Sequence, residues 1–233
     1  ASVGQDAFRP GNGLFPAAWS AANQLTWTLR NVLRFRRAVR RVPRPEVGEI
    51  CRFAADPEAA ARTLEATLAS LRLGIEDLGG RPEWARDSLD VLATLQLAFQ
   101  EISRDLPEAP RILDIGAKTW HYVRVLDALA RGGGSEPRKP VLTGIEIDAY
   151  RVYRDLHARA DWAAWHAAPC PQTRYLAMDA MDFREPQDLV LLILPIMFED
   201  EHLDWGLPQA RYRPDRLFAH ARRLAGPDGR VLM

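Results

Sequence analysis

The sequence predicts an α/β protein in which a mostly parallel sheet is flanked by helices and preceded by a helical extension. Two observations support this class. The second half of the chain contains short aliphatic runs bounded by turn-forming residues and mostly separated by helix-like stretches, a pattern typical of parallel strands. The first half instead carries leucines at helical spacing. The four strand-like runs are residues 111–116, 141–148, 175–179 and 188–194.

The helical extension covers residues 1–109, and the sheet domain covers residues 110–233. Asp56 followed by Pro57 is a helix start, and the apolar spacing that follows predicts one helix up to Gly79. Pro82 starts a second helix, which Pro107 ends. Two apolar faces joined by a short glycine turn predict an antiparallel helical hairpin that packs on the sheet. We expect this extension to supply a lid or a dimer surface.

Acidic residues lie within or at the ends of the first three strand-like runs. They are Asp114, Glu146 with Asp148, and Asp179. Parallel strands place their carboxyl ends at one edge of the sheet, and open α/β sheets bind ligands at that edge. The sequence therefore predicts a site whose carboxylates accept hydrogen bonds from the hydroxyl and amino groups of a ligand.

Residues 110–233 resemble a class I S-adenosylmethionine-dependent methyltransferase with a Rossmann-like sheet. Asp114 to Gly116 resembles the start of motif I, Glu146 stands at the position of the ribose-binding acid, and Asp179 stands at that of the adenine-binding acid. The segment 217–233 resembles the helix, proline-glycine turn and fifth strand that follow. The resemblance implies methyl transfer from S-adenosylmethionine. The cofactor-binding residues that it implies are Asp114, Gly116, Ala117, Lys118, Glu146, Ile147, Asp179 and Ala180.

The glycine loop departs from the family pattern. Lys118 and Trp120 stand where the second and third glycines of motif I occur. Glycine there permits unusual φ values and close approach of the backbone to the ligand. Lys118 can keep a similar path if its φ is negative, with its ammonium group turned toward the carboxylate of the cofactor. Near the sulfonium the same charge would instead repel.

The candidates for a catalytic base are His202 and His121. Met197, Phe198 and Trp205 surround the position of motif IV and are candidates for the wall of an acceptor pocket. This segment lacks the Asn/Asp-Pro-Pro-aromatic signature of many enzymes that methylate amino groups in nucleic acids and proteins. We therefore expect a small-molecule acceptor. The histidines and cysteines show no metal-ligand spacing, and the sequence has no hydrolase or phosphate-loop motif, so no metal site is predicted.

Positive charge is concentrated near the beginning of the chain. Residues 1–53 contain nine arginines and three acidic residues, although the whole chain has a formal net charge of zero. Arg30, Arg34, Arg37 and Arg41 follow helical spacing and are predicted to form one stripe beside a partial apolar face. The stripe is either an ordinary solvated helix face or a surface for an anionic partner.

The remaining features concern location and extent. Two cysteines are too few for a disulfide framework, and no apolar run is long enough to cross a membrane, so we expect a cytoplasmic protein. The chain stops within the expected fifth strand, which predicts that further strands follow or that another chain covers this edge, as in a homo-oligomer. Two other functions stay open: a non-catalytic binding or scaffold protein that has lost the cofactor, and an interaction module for anionic surfaces.

Overall fold

The computed structural model describes residues 16–40, 42, 44–132, 136–193 and 198–233. In these parts of the chain, five parallel strands form one sheet in the order β3-β2-β1-β4-β5. The strands are β1 (Arg111–Ile115), β2 (Val141–Glu146), β3 (Thr173–Ala177), β4 (Leu189–Leu191) and β5 (Arg230–Leu232). This Rossmann-like order confirms the predicted class of parallel sheet with flanking helices.

Eight α-helices accompany the sheet in the described parts of the chain. Four precede β1: α1 (Pro16–Leu33), α2 (Val47–Cys51), α3 (Pro57–Ser70) and α4 (Pro82–Ile102). Four follow it: α5 (Val123–Arg131), α6 (Arg159–Ala167), α7 (Glu199–Asp204) and α8 (Pro214–Ala225). Short 3-10 turns lie at Ile75–Leu78, Ser103–Asp105, Ala180–Asp182 and Gln209–Arg211. None of the described helices is both long and apolar enough to cross a membrane.

The central strands β1, β2 and β4 are buried on both faces, which explains their nearly continuous aliphatic residues. Successive side chains of β1 point to opposite faces, so Ile112 packs with the helices of the first half of the chain. Leu113 instead packs against α8 through Leu224. The helical extension and one face of the sheet thus share a single apolar core, which fixes the extension against the sheet.

The helix predicted from Pro57 to Gly79 is interrupted. Its start is as expected, because the Asp56 side chain accepts a hydrogen bond from the Ala59 N–H at 2.9 Å. However, α3 ends at Ser70, and Arg72 then adopts a left-handed φ of 57°. A left-handed residue breaks the helical hydrogen-bond ladder, so the chain turns and continues as the short 3-10 turn that buries Leu78.

The predicted arginine stripe does not form on one helix. Helix α1 ends at Leu33, Arg34 has a φ of 47°, and residues 35–40 are not helical. Arg41 lies outside the described residues. Arg30 is therefore the one member of the predicted stripe that the structure describes as helical, and Arg34 and Arg37 lie in a segment without helix or strand.

Candidate functional site

The carboxyl ends of β1, β2 and β3 surround a pocket that opens to solvent. It lies beside the switch point between β1 and β4, where consecutive connections leave on opposite sides of the sheet. Six of the eight predicted cofactor-binding residues line it: Gly116, Lys118, Glu146, Ile147, Asp179 and Ala180. Ala117 is fully buried and is not part of the lining.

The loop after β1 keeps a glycine-type backbone without its later glycines. Gly116 has a φ of 83°, while Lys118 and Trp120 both have a φ of 51°. The negative φ under which Lys118 would keep the path of a glycine loop is therefore not found. A left-handed non-glycine residue costs about 1 to 3 kcal/mol, and such residues concentrate at functional sites. The loop is held by the Ile145 carbonyl, which accepts the N–H groups of Gly116 and Ala117 at 2.9 and 3.1 Å.

Glu146 joins this loop to the rest of the site. One carboxylate oxygen accepts the N–H of Lys118 at 2.9 Å. The other accepts the N–H of Asp148 at 2.8 Å and Nη1 of Arg159 at 3.1 Å. Both side chains of the Glu146–Arg159 pair are about 5% exposed or less, so this is a buried ion pair. Burial alone lowers the pKa of Arg159, but the neighbouring charges, Glu146 foremost, raise it above its ordinary value.

Asp179 is held by a second arginine. Its Oδ1 accepts the N–H of Met181 at 2.9 Å, and its Oδ2 accepts Nη1 of Arg211 at 2.7 Å. The guanidinium of Arg211 also lies over the ring of Trp27, 5.1 Å from its centre. Sequence reasoning missed both arginines, because each comes from a segment whose approach to the acid depends on the complete fold.

Asp114 lies outside the pocket. Its Oδ2 accepts hydrogen bonds from Trp120 Nε1 at 2.9 Å and from the Tyr122 hydroxyl at 2.8 Å. Oδ1 is buried and has no hydrogen-bond partner among the described residues. Burial raises the pKa of Asp114 to about 7. This acid therefore holds the side chains that follow the glycine loop rather than facing the pocket.

Trp120 explains why this loop tolerates a large residue in place of a glycine. Its indole is fully buried against Gly144 of β2, and a Cβ at that glycine would lie 2.9 Å from the ring. The missing side chain in β2 thus makes room for the indole that the loop inserts. A glycine inside a strand was the sequence signal for this close approach.

The two candidate bases lie in different places. His202 lines the pocket, and its Nε2 is 2.8 Å from the carbonyl of Pro208. Burial lowers the pKa of His202. His121 is instead buried beside Trp84 and His166, away from the pocket lining, and burial lowers its pKa to about 3.

The predicted acceptor wall is retained in part. Trp205 lines the pocket, with the Lys118 ammonium 4.6 Å and the Arg159 guanidinium 5.3 Å from the centre of its ring. Burial, followed by the charge of Arg159, lowers the pKa of Lys118. Phe198 is 64% exposed and does not line the pocket, and Met197 lies outside the described residues.

Helix α1 makes polar contacts with residues of the pocket lining and with α7. Asn23 Nδ2 donates to the Leu203 carbonyl at 2.8 Å, and Trp27 Nε1 donates to the Ile147 carbonyl at 3.3 Å. Arg30 donates to Asp148 at 3.0 Å. These contacts connect α1 to the residues that follow β2 and to α7 itself. The described residues contain no cluster of histidines, cysteines and acids suited to a metal ion.

Comparison with known proteins gives distant similarity. No family model and no curated protein matches the chain. Similar solved structures include an S-adenosyl-L-homocysteine complex of a SAM-dependent methyltransferase from Thiobacillus denitrificans, with 20% identity over 60% of this chain and 46% of that chain and a TM-score of 0.36. A cyclopropane-fatty-acyl-phospholipid synthase-like protein from Lactobacillus casei has 21% identity over 49% and 42% of the two chains and a TM-score of 0.33.

A third similar structure is YjhP from E. coli, with 17% identity over 60% of this chain and 44% of that chain and a TM-score of 0.33. The chain spans less than half the length of each of these three proteins. Similarity at this level does not assign a function.

Proposed function

We propose that this protein binds S-adenosylmethionine in the pocket at the strand ends and transfers its methyl group to a small-molecule acceptor. The observation that carries the proposal is the position of Glu146. Glu146 lines the pocket at the end of β2, and its carboxylate accepts the backbone N–H of Lys118 in the loop that follows β1. An acid at this point of a parallel sheet typically accepts hydrogen bonds from the ribose hydroxyls of a nucleotide-like ligand.

The residues fit such a ligand by their hydrogen-bonding capacity. A carboxylate offers about four lone-pair positions. Glu146 already accepts three hydrogen bonds, from Lys118, Asp148 and Arg159. One lone-pair position therefore remains for a ribose hydroxyl. Asp179 accepts two and keeps room for an adenine amino group. The loop at Gly116 offers backbone groups to the methionine portion.

Positioning accounts for most of what this chain needs to do. The bound cofactor supplies an activated methyl group, and an oriented acceptor can then react in line with little further assistance. Trp205 gives the pocket an apolar wall. If the Nε2–H of His202 donates to the Pro208 carbonyl, its Nδ1 is free to accept a proton, and the lowered pKa keeps the imidazole neutral. His202 is therefore the candidate base for an acceptor that must lose a proton.

The second candidate function is ligand binding without catalysis. It is favoured by the two arginines that already occupy the pocket acids, since Arg159 bonds to Glu146 and Arg211 bonds to Asp179. In such a protein the ion pairs would fix the pocket permanently. An enzyme instead needs them to leave room for the cofactor at each turnover.

A transfer assay separates the two functions. The protein is incubated with S-adenosylmethionine labelled in its methyl group and with fractionated small-molecule extract. We expect label to enter a small-molecule fraction with the wild type and with the control variant Glu108→Gln, whose exposed carboxylate contacts Lys139 far from the pocket lining. Glu146→Gln should lower the transfer strongly. Cofactor binding without transfer to any fraction would favour the binding protein.

A further inference from the structure

One end of α1 carries its apolar residues on the outside. The inner face of α1 is polar: Asn23 donates a hydrogen bond to Leu203, and Arg30 donates one to Asp148. The residues left outside include Val32 and Leu33, which are 72% and 74% exposed, and Leu29, which is 48% exposed. An ordinary surface helix has the reverse arrangement, with its apolar side facing the core.

The segment after α1 adds another exposed apolar residue and positive charge. Phe35 is also 48% exposed, and Arg34, Arg37 and Arg40, close to it in the chain, are exposed as well. None of these three guanidinium groups forms an ion pair with a carboxylate of the described residues, whereas Arg36 pairs with Asp161. The apolar residues 29, 32, 33 and 35 and the arginines 34, 37 and 40 together form what we call the basic apolar surface.

We propose that the basic apolar surface binds anionic lipid bilayers. Apolar side chains beside several arginines suit the boundary between lipid headgroups and acyl chains. The apolar side chains enter the acyl layer, and the arginines meet the phosphate groups. A symmetric contact with a second copy would bring the same arginines together, and their repulsion disfavours it. Helix α7 is acidic, but it contacts α1 at Asn23. This contact lies on the inner side of α1 and toward the end of the helix opposite to the basic apolar surface.

The proposal does not depend on the ligand of the pocket. It concerns the outer side of α1, while the residues that contact the site are Asn23, Trp27 and Arg30 on its inner side. A protein that binds membranes in this way needs no spanning helix. It would rest on the surface of the bilayer and be released as salt screens the arginines.

Flotation with vesicles tests the proposal on the full chain. We expect binding to vesicles of phosphatidylcholine mixed with phosphatidylserine, little binding to phosphatidylcholine alone, and release by high salt. The double variant Val32→Gln/Leu33→Gln and the triple variant Arg34→Gln/Arg37→Gln/Arg40→Gln should each bind at least about tenfold more weakly. The matched controls are Leu97→Gln and Arg62→Gln/Arg104→Gln/Arg216→Gln, which replace exposed residues elsewhere and should leave binding unchanged.

Three outcomes would overturn the proposal. The first is a wild type that fails to bind the mixed vesicles, or that binds both vesicle types equally. The second is a concentration-dependent dimer in sedimentation that Val32→Gln/Leu33→Gln dissociates, which would identify a second copy as the occupant. The third is a large drop in the Tm of that double variant, which would show that the chain itself covers these side chains.

Discussion

Arg159 donates to Glu146 in a buried ion pair, with Nη1 3.1 Å from Oε1, at the position where the proposed cofactor needs an acceptor. A buried pair gains Coulomb energy but loses the hydration of both charges, so its net contribution to stability is small while the loss of one partner is costly. The pair therefore links the stability of the fold to the chemistry of the pocket.

This link can be measured by a double-mutant cycle. Glu146→Gln removes the nearer carboxylate beside the buried Arg159 guanidinium and leaves Asp148 at 3.9 Å, so it should lower the free energy of unfolding by about 3 kcal/mol. Adding Arg159→Met removes the underpaired charge and should restore at least half of that loss. Urea denaturation measures all four proteins. Additive losses in the double variant would contradict the buried pair.

Asp114 should make stability depend on pH. Its pKa is raised to about 7 in the folded protein by burial, whereas an unfolded aspartate has a pKa of about 3.9. The unfolded chain thus loses this proton first, and the contribution of Asp114 is fully present below pH of about 4 and is lost as pH rises to about 7.

Asp114→Asn cannot ionise. Between pH of about 4 and about 7, the free energy of unfolding of the wild type should fall by up to about 1.4 kcal/mol per pH unit relative to this variant. Below pH of about 4 the wild type should be no less stable than the variant. Denaturation of both proteins across the range checks this. A constant difference between them would show that Asp114 does not titrate there.

The buried histidines should act in the opposite direction. Burial lowers the pKa of His121 and of His166 to about 3, compared with about 6.5 in an unfolded chain. Their contribution to stability is present above pH of about 6.5 and is lost as pH falls toward 3. In His121→Gln the free energy of unfolding should fall less steeply as pH decreases, because one fewer proton binds on unfolding. NMR titration of the His121 ring provides a direct check, because a midpoint near pH 6.5 would contradict its burial.

The left-handed loop predicts an unusual response to glycine. Lys118→Gly relieves a φ of 51° and should raise the free energy of unfolding by up to about 1 kcal/mol. Lys139→Gly is the matched control, because Lys139 is exposed and its φ is not positive. It should lower stability slightly, because glycine has more freedom in the unfolded chain. Equal losses at both positions in thermal unfolding would contradict the left-handed loop.

The strands were predictable because their signals are local. Runs such as residues 141–148 combine aliphatic residues with flanking turns, and β2 (Val141–Glu146) lies within that run. The Pro57 helix start was equally clear, whereas its end was not, because the leucine spacing continues through the turn at Arg72. Apolar spacing predicts which residues face the core more reliably than it predicts unbroken helix.

The site was predictable only where a residue's strand position determines its place. Glu146 ends β2, Asp179 follows β3, and both line the pocket. Asp114 lies one residue before the end of β1, but it points to the face covered by Trp120, and side-chain direction depends on strand phase rather than on position alone. Arg159 and Arg211 reach the acids through the assembled fold, and no local pattern marks them.

Calorimetric titration of S-adenosylmethionine and its demethylated product tests the central claim most directly. We expect saturable, micromolar binding of both compounds. Glu146→Gln should weaken it by about tenfold to a hundredfold, since a hydrogen bond to an ionised acceptor contributes about 1.5 to 3 kcal/mol. Glu108→Gln should leave it unchanged. A folded protein that gives no heat of binding with either compound, or equal affinity in the wild type and Glu146→Gln, would contradict the proposed site.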